Sequence, residues 1–158
     1  MLELTSDDLY EGSLMDAMFE LTDQRPNLSP ALRWQNAPAQ TKSFALTVYD
    51  PDAPTECGFW HWLVLNIPAD TKTLARGASG TLSGNTIELD NDYGFAGFGG
   101  AHPPPGHGMH RYQFTLWALP DEVLPVHDNM TRAQVGFMLN AKALARKTLT
   151  ATYVRHSS

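Results

Sequence analysis

The sequence predicts an all-β-dominated domain that closes with one α-helix. Three observations carry this: apolar residues alternate in three runs, the 11 prolines and 12 glycines fall mostly between such runs, and only the last third carries a helical pattern. In SFALTVY, Phe44, Leu46 and Val48 alternate with Ala45, Thr47 and Tyr49. In WHWLVLN, Trp60, Trp62 and Val64 alternate with His61, Leu63 and Leu65. HRYQFTLWAL sets His110, Tyr112, Phe114, Leu116 and Ala118 on one face. All three runs are rich in the branched and aromatic residues that pack well on a pleated surface. Near the C-terminus, Thr131 and Gln134 form a capping box, followed by Val135, Met138, Leu139, Ala143 and Leu144, which predicts a helix from about Arg132 to Lys147. A short strand, ATYV, follows it. NAPAQTK from Asn36 and NIPADTK from Asn66 share five of seven residues and read as two strand-to-strand connections with the same Asn and Pro turn chemistry.

A length of 158 residues fits a single domain, residues 1–158. Eleven Lys and Arg against 17 Asp and Glu give a net charge of −6, a poor match for nucleic acid or an anionic membrane surface. No run approaches the roughly 18 apolar residues of a membrane-spanning helix, and the opening MLELTSDDLYEG has no export-signal pattern, so a soluble protein is expected. The one cysteine, Cys57, excludes a disulfide within the chain and suits a reducing, cytoplasmic setting; it reads as an exposed thiol with nothing beside it to activate a thiolate.

His61 is unusual, a histidine inside an otherwise apolar strand. His102, His107 and His110 in GGAHPPPGHGMHRY could ligate a metal with Asp50 or Asp52, but no recognised zinc spacing is present and the prolines exclude a helix there. Glycine-rich GFAGFGGA resembles a phosphate loop, yet Pro103, Pro104 and Pro105 follow where a helix would have to open. Its backbone amides could still bind an anion. No G-x-S-x-G elbow is present, and neither Ser79 nor Ser83 has the setting of a nucleophile.

NLSPALRW, DPDAP followed by HWLVLNIP, and PPPGHGMHRYQF together resemble the phosphatidylethanolamine-binding protein family, especially its short bacterial members, over nearly the whole chain. The resemblance implies a β-sandwich of two antiparallel sheets with Greek-key connections, a C-terminal helix, and a small anion pocket at one end. The family's ligand-binding positions fall on Asp50, Asp52, Phe59, His61, Pro104, His110 and Tyr112, with its loop glycine on Gly100. Ala101 and His102 stand where members commonly have proline, so the rim is expected to differ. On this reading Asp50 orients His61 and favours its charged form, and the imidazolium and the Tyr112 hydroxyl hold a phosphoryl oxygen. Asp52 either meets the ligand or bonds local backbone amides, and Arg111 is an ion-pair partner. A tight turn at DPDAP predicts a cis Ala53–Pro54 peptide.

The resemblance therefore implies binding of a small phosphate-bearing ligand such as a phosphoethanolamine headgroup, whose ammonium suits a carboxylate. The alternative is a regulator, a kinase or protease inhibitor, that recognises a phosphorylated or acidic peptide. A third is a phosphoester hydrolase using Asp and His as base and acid. No cofactor is implied and no enzyme is expected. Bacterial relatives and an apolar content of 42% predict a homodimer.

Overall fold

The computed structural model describes residues 1–22, 26–55, 58–104, 106, 108–126 and 130–154. Cys57, read as an exposed thiol, and His107, a candidate metal ligand, lie outside the described residues. Among the described residues, eight strands form two antiparallel sheets. The smaller has the order β1 (Glu3–Thr5), β2 (Leu32–Gln35), β5 (Thr73–Leu74). The larger has the order β6 (Ile87–Glu88), β4 (Phe59–Pro68), β3 (Ser43–Asp50), β7 (His110–Leu119), β8 (Ala145–Tyr153). Within it, β7 returns to lie beside β3 rather than beside β6, which is the Greek-key order. A helix, α1 (Arg132–Lys142), lies between β7 and β8 in the chain.

Alternation along β3 does not produce alternating exposure, because the larger sheet is covered on both faces. Phe44, Leu46, Val48, Trp62, Val64, Phe114 and Leu116 fill the space between the sheets with Leu4, Leu32 and Trp34. Ala45, Leu63, Leu65, Trp117 and Leu119 lie instead beneath Val135, Met138 and Leu139 of α1. A strand buried on both faces reads as a near-continuous apolar run, as SFALTV and WLVL do.

The capping box forms: the Thr131 side chain accepts from the Gln134 amide and the Gln134 side chain accepts from that of Thr131. The helix ends at Lys142, five residues short of the predicted Lys147, and β8 spans nine residues instead of ATYV alone. Ala143 turns extended, the Leu144 amide donates to the Ala118 carbonyl, and Ala145 to Tyr153 pair with β7 along its length. Thr148, Thr150 and Thr152 favour that ladder over a further helical turn, so sheet pairing overrides the helical propensity of Ala145 to Lys147. The two similar heptapeptides do form matching connections. Asn36 and Asn66 both have positive φ, and the amides of Thr41 and Thr71 both donate to the carbonyl of the proline three residues before them.

Trp62 anchors this core. It is fully buried, its ring meets Phe98, and its Nε1 donates to the Glu88 carboxylate at 2.7 Å. Replacing it with alanine removes the ring and leaves that carboxylate short of a donor, so Trp62→Ala should lose about 3–5 kcal/mol of stability in a denaturant titration.

Candidate functional site

The position of His61 follows from an irregularity in strand pairing. Val48 faces Trp62 while Tyr49 faces Trp60, so His61 is the extra residue of a β-bulge. Regular alternation would have grouped His61 with Leu63 and Leu65 beneath α1. The bulge corrects that reading: Trp60 packs on the α1 side, Trp62 enters the core, and His61 turns toward the end of the sandwich. There its ring lies 4.9 Å from Phe59, 5.6 Å from Tyr93 and 5.1 Å from Tyr112, centroid to centroid.

The glycine-rich loop secures the bulge. The Gly99 amide donates to the His61 carbonyl at 2.9 Å, and the Gly99 carbonyl lies 2.7 Å from His61 Nδ1. Neighbouring loop amides are also engaged: Phe98 donates to Ser79 Oγ and Gly100 to Asn27 Oδ1. Asn27 and Asn91 return donors to the carbonyls of Phe98 and Gly97. Close approach explains the glycines, since a Cβ on Gly99 would stand 2.4 Å from the Tyr93 ring and one on Gly100 would stand 2.0 Å from the Phe19 carbonyl oxygen. Gly100 therefore supports the loop and does not line the cleft described below. Its amide, like those of Phe98 and Gly99, is already bonded within the fold.

Asp50 closes β3 and accepts twice. Its Oδ2 lies 2.7 Å from His110 Nδ1, and its Oδ1 accepts from the Asp52 amide at 2.7 Å. The carboxylate thus orients His110, not His61 as the sequence reading had it, because β7 brings His110 beside the end of β3 while the bulge gives His61 to Gly99. Asp52 turns away from the cleft and accepts from the amide, Nε and Nη2 of Arg111 at 2.8, 2.9 and 2.9 Å. The Arg111 hydrogen bond is the main cause that holds its carboxyl down at about 2. Ala53–Pro54 is trans, correcting the expected cis peptide; the Asp50–Asp52 hydrogen bond and one from Thr55 N to the Ala53 carbonyl close the turn instead.

These elements enclose a cleft of about 180 Å³ lined by Asp50, Phe59, His61, Tyr93, His110 and Tyr112, with Ala53, Pro54, Thr55, His102, Pro103 and Pro104 completing its wall. The structure brings six of the eight expected residues together here and places Asp52 and Gly100 outside. No Lys or Arg lines the cleft among the described residues. Tyr112 is 2% exposed, and nothing among the described residues hydrogen-bonds its hydroxyl. Burial and the Asp50 charge push its pKa well above the ordinary phenol value, so it remains a donor. Tyr93 is shifted the same way, first by burial, and donates to the Gly100 carbonyl. His61, 3% exposed, has its pKa lowered: burial outweighs the opposing pull of the Gly99 carbonyl and the Asp50 charge. No group of three or more His, Cys, Asp or Glu among the described residues is arranged to hold a metal.

Residues 5–154 match the family model of phosphatidylethanolamine-binding proteins. The chain belongs to this family. Among curated relatives, the UPF0098 proteins YbcL and YbhB of Escherichia coli are similar to it: YbcL is 51% identical over 80% of this chain and 72% of its own length, and YbhB 40% identical over 96% and 99%. The crystal structure of E. coli YbcL, described as a member of the mammalian PEBP family, superposes with a TM-score of 0.91 at 42% identity, covering 97% of this chain and 98% of that one. A homolog from Chlamydia trachomatis gives 0.83 at 28% identity over 98% and 97%.

Sequence reasoning missed Tyr93, which lies in a turn without periodicity. The turn was visible as Asn-Asp-Tyr-Gly, and Asn91 does accept from the Tyr93 amide as such turns do. Tyr153, the one late tyrosine, has no site role assigned from the sequence; it pairs across from His110 in β8 and its hydroxyl bonds the Glu20 carboxylate, outside the cleft lining.

The lowered pKa of His61 sets a stability trend. In the unfolded chain the ring titrates near 6.5, whereas the folded state resists its charge, so this contribution is complete above about pH 6.5 and is lost as pH falls toward the folded value. Denaturant midpoints should therefore drop more steeply on acidification in the wild type than in His61→Gln. Parallel curves would show that the buried ring is not the cause.

Proposed function

We propose that the protein binds a small phosphate-bearing ligand in this cleft. The observation that carries the reading is the Tyr112 hydroxyl: a donor on a buried side chain, lining a cleft, with no partner among the described residues. The hydroxyl is open to the cleft rather than sealed in the core, so it can reach a ligand oxygen. His110, its Nδ1 2.7 Å from the Asp50 carboxylate, faces the same cleft as a second polar side chain. The family name and the E. coli and Chlamydia relatives agree with a headgroup-type ligand. Pro104 and Phe59 give the cleft apolar walls suited to the carbon next to a phosphoryl group.

Asp52 no longer supports recognition of an ammonium, because Arg111 occupies it. The phosphoryl group is the recognised part, and a phosphoethanolamine headgroup would project its ammonium toward the rim. The regulatory alternative, inhibition of a kinase or protease through a phosphorylated or acidic peptide, uses the same cleft. A homodimer is part of this reading, with Phe137, 78% exposed on α1, as the apolar surface that supports it. A reducing, cytoplasmic setting rests on the single cysteine. Among the described residues no helix is long and apolar enough to cross a membrane.

Calorimetric titration with inorganic phosphate tests the reading. The wild type should bind, and Tyr112→Phe and His110→Gln should each weaken binding by about tenfold while the fold persists. Absence of binding by the folded wild type would reject it.

A further inference from the structure

We propose that the cleft selects a singly charged phosphate that still carries a P–OH, a phosphomonoester monoanion or dihydrogen phosphate, because His61 meets the ligand as a hydrogen-bond acceptor. The inference rests on the phosphate-binding reading above and states which phosphate chemistry that site takes.

The argument starts at the Gly99 carbonyl, 2.7 Å from His61 Nδ1. A carbonyl oxygen only accepts, so Nδ1 carries the hydrogen in either charge state of the ring. In the neutral ring Nε2 then bears a lone pair. The ring's hydrogen bond of good geometry is at Nδ1, the Gly100 carbonyl acts on the ring more weakly, and the ring lines the cleft, so the Nε2 edge is the one a ligand can reach. The ring is 3% exposed, and burial disfavours its charge.

The surroundings decide what can approach that lone pair. Asp50 at the end of β3 and Asp92 in the loop after β6 act on His61 with negative charge, His110 and Tyr112 face it from β7, and Tyr93 and Phe59 complete its ring contacts. With no Lys or Arg in the lining, the cleft is poorly matched to a dianion. A monoprotonated phosphoryl group fits both sides. Its P–OH donates to His61 Nε2, while its other oxygens accept from the Tyr112 hydroxyl. A phosphodiester or a sulfate has no such hydrogen and would set an oxygen lone pair against the Nε2 lone pair.

The test is calorimetric titration of the full chain with inorganic phosphate, O-phosphoethanolamine, glycerophosphoethanolamine and sulfate. The first two can carry a P–OH; the third is the diester form of a lipid headgroup, and the fourth matches phosphate in size. At about pH 5.5, below the second phosphate pKa of about 6, phosphate and the monoester should bind at least about tenfold more tightly than sulfate and the diester. At about pH 8 the monoester's advantage should shrink as its P–OH is lost, whereas inorganic phosphate keeps one P–OH but becomes a dianion, which the cleft, without Lys or Arg among its described lining residues, disfavours. Tyr112→Phe removes a donor alone, so it should weaken all four in parallel and keep their ratio, whereas His61→Gln, whose amide can donate as well as accept, should collapse the ratio. Sulfate or the diester binding as tightly as phosphate at about pH 5.5 would overturn the proton requirement and leave phosphate binding intact. Failure of phosphate itself to bind would overturn both.

Discussion

The reciprocal pairing of His61 with Gly99 is the interaction on which the site depends. One backbone unit of Gly99 satisfies both the carbonyl that the β4 bulge leaves outside the ladder and the imidazole nitrogen that would otherwise be buried alone. The rest of the glycine-rich loop serves that contact. Ser79, Asn27 and Asn91 hold it by side-chain hydrogen bonds, and the bare α-carbons of Gly99 and Gly100 let it approach Tyr93 and Phe19. A segment that looks like a phosphate loop in the sequence is thus a clamp on a histidine, with the amides of residues 98–100 spent inside the fold.

The opposite wall is built from charges arranged to hold one another. Asp50 at the end of β3 takes His110 from the start of β7, and the adjacent Asp52 takes Arg111. Because β7 alternates, His110 points inward while Arg111 points outward, and the two aspartates of one turn divide between them. The exposed Arg111–Asp52 pair contributes little to stability. Its role is to fix the mouth of the turn, leaving the cleft itself without a permanent cation. The sheet beneath is covered on both faces, so these side chains stand on a layer with little freedom to shift.

Much of the fold was legible in the residues. The three long strands, the Thr131–Gln134 capping box and the paired Asn-containing connections follow from periodicity and turn chemistry that act locally. Strands β1, β5 and β6, of three, two and two residues, are too short for any period to appear. Residues 145–147 read as helix because their propensity is helical, and only the ladder with β7 decides otherwise. At the site, the family resemblance located His61, His110, Tyr112 and Asp50, but not their pairing. Which histidine receives Asp50 depends on a one-residue bulge, and a strictly alternating reading has no term for it. Tyr93 escaped notice because it enters by a turn, and Gly100 was assigned to the ligand because the loop's internal bonds are long-range.

The account makes the free cleft close to neutral: a paired carboxylate and imidazole, two phenols that keep their protons, and a second imidazole that resists charge. Its central claim is the state of His61, with hydrogen on Nδ1 toward Gly99 and a bare Nε2 toward the cleft. Imidazole nitrogen NMR of the ligand-free protein at neutral pH reads this directly. The account predicts a neutral His61 ring protonated at Nδ1 alone; a ring protonated at both nitrogens, or at Nε2 alone, would contradict it.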